Sequence, residues 1–310
     1  MLTAERLLKE IDDLWSNENE SERGYIGASE IGHHCTRYLW LKFHRVTFPE
    51  KFNPRMLRLF RRGHAEEVVL QAQLQALGFD VVESCLKQGG FKRGFFAGHW
   101  DGKVSRDGKT YTVEYKTFNE KQFKLLLIDG VKEAKPSHYA QACIYAREQN
   151  SDGIIYIAVC KNDDNLHIEV FPRDDEHAEA MSRKAIEEVA KPFQLPSKIA
   201  KTPADYRCKM CSSSSICHGL ASARIDCRNC VHADKDTTTG IFKCELGNKE
   251  LKPCENHSFN PYILKDLYGV KINDVDQETK TIHFLRKDGT DFFAGKNGLS
   301  SDDVLHLLVD

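Results

Sequence analysis

The stretch GHWDGKVSRDGKTYTVEYKT, residues 98–117, sets two carboxylates and an amine around one turn. The DG pair at 107–108 is the strongest short-range signal for a two-residue hairpin loop. With that loop, Arg106 pairs with Lys109, Val104 with Tyr111, and Asp101 with Glu114. Directly opposed side chains in such a ladder lie about 5 Å apart. Lys116, two residues beyond Glu114, shares its face, whereas Tyr111, Val113 and Tyr115 point the other way and can pack inward. Opposed carboxylates repel unless a cation bridges them. Magnesium or manganese is the expected cation, because each takes oxygen ligands. A water held by such an ion can lose a proton and attack a phosphodiester. Lys116 can orient that water or offset charge on the phosphate. Gly98 and Gly102 bracket Asp101 and are expected to leave room for a close substrate backbone. The bland alternative is a solvent-facing hairpin with scattered charges.

Four short segments stand in order along the chain, two of them within this stretch. RRGHAEE (61–67) precedes it, GHWDG (98–102) and EYK (114–116) lie within it, and QACIY (141–145) follows. Together they resemble the PD-(D/E)XK nuclease superfamily, in particular its RecB-like and Cas4-like exonuclease branch. That family carries a helix acid, a GxxD acid, a (D/E)xK pair and a QxxxY helix. The resemblance covers roughly residues 25–190. It implies that Glu67 lies beside the metal with Asp101 and Glu114, and that Gln141 and Tyr145 contact DNA or brace Lys116. Gln141 and Tyr145 are four apart and share one helix face, which is also a good packing surface. His64 shares the face of Glu67 three residues on. The resemblance makes it a candidate metal ligand, with a surface or capping role the alternative. His99, one residue out of phase with the acid, is expected to point away.

The elements that must position these groups can be read around them. Residues 1–16 form a helix and 16–24 a polar loop. Ser29 caps a helix through EIGHHCTRYLWLKF, and residues 52–79 form one long helix with Pro54 near its start and Gly78 past its end. DVVES is a short strand, 119–134 is helix or loop, and Pro136 opens a helix through Glu148. GIIYIAVC (153–160) reads as a central strand with NLHIEVF as its partner, followed by a charged amphipathic helix over 173–190. The tail KTIHFLRKDGTDFFAGKNG alternates as a second hairpin. The fold class is α/β, with a mixed central sheet flanked by helices. The resemblance makes it a restriction-endonuclease-like core with a small C-terminal zinc-binding module. The expected divisions are a nuclease domain over 1–220 closed by an iron–sulfur cluster, a zinc module over 221–262, and a small hairpin-containing tail over 263–310.

The chain of 310 residues has a formal net charge of only -2. Any surface for nucleic acid must therefore be local. Arg55, Arg58 and Arg62 line up at spacings of three and four toward Glu67, and Lys121 and Lys124 follow the catalytic strand. Such groups hold phosphates without reading bases, so no sequence specificity is expected; the alternative is a solvated charge face. No GxxxxGK[ST] run is present. The DNA is thus expected to be single-stranded or to offer free ends, with unwinding left to a separate helicase, or with a recombinase or annealing protein as partner. No apolar run approaches membrane-spanning length, and the amphipathic start lacks a signal peptide's apolar stretch. The expected location is the cytoplasm (that of the host, if the chain is phage-encoded).

Seven of the 11 cysteines lie between Cys208 and Cys254, and clustering of that kind favours metal or cluster ligation over disulfides. CKMCSSSSIC supplies Cys208, Cys211 and Cys217, and Cys35 is the obvious fourth ligand. One early cysteine with a late C-x2-C-x5-C resembles the [4Fe-4S] clip of Cas4-like nucleases. Zinc on the same four thiolates is the alternative. The clip closes a loop of more than 170 residues, a constraint worth ~4–5 kcal/mol by analogy with a disulfide. Cys227, Cys230, Cys244 and Cys254, with His232 and His257 close by, suit structural zinc. Six candidates compete for four positions, and the four cysteines are favoured.

The leading expectation is a Mg2+- or Mn2+-dependent DNA exonuclease in recombination, repair or replication. Its alternatives are a structure-specific endonuclease or Cas4-like end trimmer, and a non-catalytic DNA-binding iron–sulfur protein.

Overall fold

The computed structural model describes residues 2–16 and 22–309. The loop expected over 16–24 falls partly outside them, at 17–21. Helix α1 (Ala4–Ser16) is followed by β1 (Ile26–Gly27), a single helical turn α2 (Ala28–Ile31), α3 (Thr36–Phe43) and the long α4 (Pro54–Ala76). Strands β2 (Asp80–Glu83), β3 (Gly90–Arg93), β4 (Phe96–His99), β5 (Gly102–Arg106) and β6 (Lys109–Phe118) come next. Helices α5 (Glu120–Ala134) and α6 (Pro136–Glu148) lead to β7 (Gly153–Cys160) and β8 (Leu166–Pro172). Helix α7 (Asp175–Arg183) then continues as a π-helix over Lys184–Ala190. The rest holds α8 (Ser214–Cys217), β9 (Ala233–Asp236), β10 (Ile241–Cys244), α9 (Pro261–Leu267), β11 (Lys271–Asp276), β12 (Thr281–Leu285), β13 (Asp291–Ala294) and α10 (Ser301–Val309).

The main sheet is mixed, with order β2-β5-β6-β7-β8. Neighbours β6 and β7 are parallel, joined by the α5–α6 crossover; the other pairs are antiparallel. All of β7 is buried, as its unbroken apolar run requires. On one face Leu70 and Leu74 of α4 pack on Val113, Tyr115, Ile155 and Ile157. The opposite face packs under α5 and α6 through Phe123, Leu126, Ala142 and Tyr145. A separate core joins Trp40, Leu41 and Val46 to Phe259, Ile263, Phe284 and Phe292 of the C-terminal segment.

Two element expectations change. The helix expected through residue 43 is broken at Gly32–Cys35. Gly32 lies so close to α6 that a Cβ there would stand 2.6 Å from Ser137 Cα, and Cys35 restarts the helix by accepting from the amide of Tyr38 at 3.4 Å. The C-terminal hairpin forms as β12–β13 but gains a third strand, β11.

Candidate active site

Strand β6 carries Glu114 and Lys116 in the middle of the sheet, between β5 and β7. The ladder from β5 to β6 runs from Arg106–Lys109 through Val104–Tyr111 to Gly102–Val113, the register set by the DG turn. It stops one residue short of the expected Asp101–Glu114 pair. At Asp101 the chain bends as it leaves β4, which belongs to the small β1-β4-β3 sheet, and enters β5. Asp101 turns its Oδ2 to accept the amide of Tyr115 at 3.0 Å. The acid is therefore fixed by the β6 backbone rather than by ladder pairing.

Lys116 joins the two acids. Its Nζ hydrogen-bonds Glu114 Oε1, lies 3.8 Å from Asp101 Oδ2, and donates to the Tyr115 carbonyl at 3.2 Å. Burial works against the ammonium, but the charges of Glu114 and Asp101 outweigh it and hold its pKa above the ordinary lysine value. Glu114 is fully buried, and its Oε2 has no hydrogen-bond partner. Burial first, then the charge of Asp101, pushes its pKa up to about 8. Glu67 on α4 feels the same two influences, and its pKa is raised. His64 Nδ1 lies 3.2 Å from Glu67 Oε1. Burial and the charge of Asp101 thus disfavour the charged forms of both Glu67 and Glu114, next to the one ammonium.

Helix α6 covers this group. Gln141 and Tyr145 are buried, with Gln141 Nε2 3.5 Å from Tyr145 Oη. Burial, then the charge of Glu114, holds the Tyr145 phenol above its usual pKa. Gly98 and Gly102 do not open a path for substrate. A Cβ at Gly98 would lie 2.8 Å from the Tyr145 ring and 2.9 Å from Ala28 Cβ, and one at Gly102 would meet the Glu83 carbonyl at 3.1 Å. Both spaces are filled by the protein itself. His99 is exposed.

The arginine stripe divides. Arg58 pairs with Asp12 of α1 at 2.6 Å. Arg62 donates to the Lys161 carbonyl at 3.4 Å. Burial, then the charges of Arg62 and Arg55, lowers the pKa of Lys161. Lys161 is a basic residue that the sequence reading passed over; its signal was its place directly after the central strand. Lys121 and Lys124 are exposed on α5, with Lys124 paired to Glu120 at 2.5 Å.

Cys35, Cys208, Cys211 and Cys217 line one cavity, together with His33, Tyr38 and Arg37. Arg37 was also passed over, although it lies two residues past Cys35. Its buried guanidinium donates from Nε to Cys217 Sγ at 3.1 Å, and from Nη1 to the Pro196 carbonyl at 2.8 Å and to Asp266 Oδ2 at 3.2 Å. A second cavity is lined by Cys227, Cys230, Cys244 and Cys254 with His232 and His257. Burial, then Cys230 and Asp226, pushes the Cys227 thiol up to about 12. His232 Nε2 is buried without a partner. Both ring nitrogens of His257 are engaged, with the Asp226 carbonyl at 2.9 Å and Ser301 Oγ at 2.8 Å. As placed, no group of three or more His, Cys, Asp or Glu side chains among the described residues is set to hold a metal ion. The donor chemistry nonetheless fits cations at all three places: oxygens with an unpartnered Glu114 Oε2, four thiols in one cavity, and thiols beside an unpartnered imidazole nitrogen.

No family model matches the chain, and no curated protein matches it. Among solved structures it is similar to the crystal structure of SSO0001, at 16% identity and TM-score 0.40 over 70% of this chain and 97% of that one. It is also similar to an alkaline exonuclease from Laribacter hongkongensis, at 15% identity and TM-score 0.37 over 59% of this chain and 91% of that one. The complex of that exonuclease with dAMP gives 14% identity and TM-score 0.36 over 57% and 91%. Likeness at this level carries no argument, and the functional reading rests on the site. Among the described residues no helix is long and apolar enough to cross a membrane.

Proposed function

We propose that this chain is a metal-dependent DNA exonuclease of the PD-(D/E)XK type, acting in recombination, repair or replication. The observation that supports this reading most is Glu114. A carboxylate buried beside two other acids, with one oxygen unpartnered, is costly unless a cation completes it. Glu67, Asp101 and Glu114 would hold a magnesium or manganese ion, which when bound would acidify a water and offset phosphate charge. His64 orients Glu67 from the exposed side. Lys116 donates a hydrogen bond to the attacking water and offsets charge on phosphorus. The water oxygen bonds phosphorus as it gives up a proton to solvent, the P–O bond to the neighbouring nucleotide breaks, and the departing oxygen takes a proton from solvent in its place. Gln141 and Tyr145 hold the Lys116 side of the site rigid from α6. Arg55, Arg62, Lys161, Lys121 and Lys124 bind phosphates of a single strand or a free end.

In the same proposal, Cys35, Cys208, Cys211 and Cys217 carry a [4Fe-4S] cluster that ties residue 35 to the 208–217 segment. Cys227, Cys230 and Cys244 carry zinc, with Cys254 as fourth ligand and His232 the alternative to it. The engaged nitrogens of His257 argue against its taking part.

The test is digestion of linear and circular DNA, each single- and double-stranded, with magnesium, manganese, calcium or a chelator. Shortening of linear DNA alone, with magnesium or manganese, is the expected result. Cleavage of covalently closed circles would make the chain an endonuclease. Binding without cleavage under every condition would reject catalysis.

A further inference from the structure

Strand β8 is an edge. It pairs with β7 on one side, and among the described residues no strand pairs on the other. Just past the ladder, the Cys160 amide donates to the Asn165 carbonyl at 2.9 Å. Antiparallel strands alternate the residues that exchange such bonds. Residues 165, 167, 169 and 171 therefore direct their backbone groups to β7, while Leu166, Ile168 and Val170 direct theirs outward. The side chains of these three stand in register with Val159, Ile157 and Ile155. Those β7 residues are buried under α4. Leu166, Ile168 and Val170 continue the same apolar face one strand further out and are 48%, 53% and 64% exposed. On the opposite face, His167 Nε2 pairs with Glu169 Oε1 at 2.8 Å. A flat apolar edge with open N–H and C=O groups is a template for another strand, and charge, proline or a bulge is the usual protection. Here the outward-facing triplet Leu166, Ile168 and Val170 carries none of these; Pro172 only closes the strand's end.

We propose that the occupant of this edge is a second copy of the chain, paired antiparallel through β8 with Ile168 on the two-fold axis. Leu166 then opposes Val170 of the second copy, the two Ile168 residues oppose each other, and every outward amide of these three meets an outward carbonyl. Charge and apolar contact select this register. It sets Glu169, whose carboxylate already accepts from the Val131 amide at 2.8 Å and pairs with His167 of its own strand, opposite His167 of the second copy. A pairing centred one residue later would set Glu169 against Glu169 and Leu166 against Pro172, which has no N–H; one centred a residue earlier would set Val170 against Asp164 and lose that apolar contact. Like charges directly opposed destabilise a ladder, and unlike ones support it. The two sheets become one sheet of ten strands, closed by point symmetry rather than open to further growth. The pairing does not depend on what the catalytic site does.

Sedimentation equilibrium of the full chain across the micromolar range tests it, with two double variants. One carries Leu166→Lys and Val170→Lys, the other Leu166→Glu and Val170→Glu. All four changes fall on exposed positions, so circular-dichroism melting should match wild type. Wild type is expected to dimerise. Each variant alone is expected to associate at least about 100-fold more weakly, and the equimolar mixture to dimerise again, because 166 of one copy meets 170 of the other. A wild type that stays monomeric at high micromolar concentration overturns the proposal. So do variants that dimerise as wild type does, or a mixture that stays monomeric.

Discussion

The amide of Tyr115 donates to Oδ2 of Asp101 at 3.0 Å, so the strand that carries Glu114 and Lys116 also holds the acid that precedes β5. The two acids should therefore respond differently to substitution. Asp101→Ala leaves a buried N–H without its acceptor and is expected to cost ~1–3 kcal/mol of stability along with cleavage. Glu114→Gln keeps the shape and removes a charge that burial disfavours. Its melting temperature should equal or exceed that of the wild type, while cleavage falls at least ~100-fold. Calorimetry with a nuclease assay on both variants checks this, and near-wild-type turnover by Glu114→Gln would remove the acid from the site.

Arg58 and Arg62 occupy one helix but have different partners. Alanine at Arg55, Arg62 and Lys161 should weaken binding to every DNA sequence alike and flatten the salt dependence by roughly one unit per lost phosphate contact. Alanine at Arg58 should instead loosen α1, which it holds through Asp12, with little change in salt slope. Fluorescence titrations at several salt concentrations, with limited proteolysis of the N-terminus, separate the two.

The two cysteine cavities should lose their contents independently. Cys35→Ser is expected to abolish iron and sulfide and to leave zinc in place; Cys244→Ser should do the reverse, with less effect on the core. Anaerobic purification followed by iron, sulfide and zinc analysis gives the answer. Zinc without iron in wild type would exclude the cluster, and loss of both metals from Cys35→Ser would exclude independence.

His44 ties stability to pH. It is fully buried, and its Nε2 donates to the Val189 carbonyl at 3.1 Å. Burial, then Lys235, holds its pKa well below 6.5 in the folded chain. Above that pH neither state is protonated at this ring, and the group contributes nothing. As pH falls below 6.5 the unfolded chain gains a proton that the folded chain refuses. Stability should drop with a slope approaching about 1.4 kcal/mol per pH unit from this residue. Urea unfolding at pH 7.5, 6.5 and 5.5 should show that slope, and His44→Gln should lessen it.

Gly98→Ala tests the packing between β4 and α6. The new methyl would meet the Tyr145 ring and Ala28 Cβ below 3 Å. A loss of ~1–3 kcal/mol is expected, with DNA affinity changed less than stability. An equal loss of affinity at full stability would return Gly98 to a substrate role.

What could be read in the residues was what local chemistry governs. The DG turn specified the β5–β6 register, and the apolar run of β7 marked the central strand, because each depends on neighbours in the chain. Asp101 escaped the ladder because a change of sheet between β4 and β5 is not visible in a hairpin motif. The break at Gly32–Cys35 depends on Ser137, and the partner of Arg58 lies on α1. Residues 30–43 look continuous by helical pattern, yet contact with α6 overrides it. Arg37 shows the same limit at greater range, since its acid is 229 positions away.

That last contact bears on how the chain is made. The buried guanidinium of Arg37 is completed by Pro196, Cys217 and finally Asp266. A growing chain still short of residue 266 would have to bury Arg37 beside the cysteine cavity without its acid, a cost of several kcal/mol for an uncompensated charge. The N-terminal segment around α3 must therefore stay loosely docked during synthesis, exposing Trp40 and Leu41, until α9 leaves the ribosome. Shortened products that end before α9 should be chaperone clients rather than folded fragments.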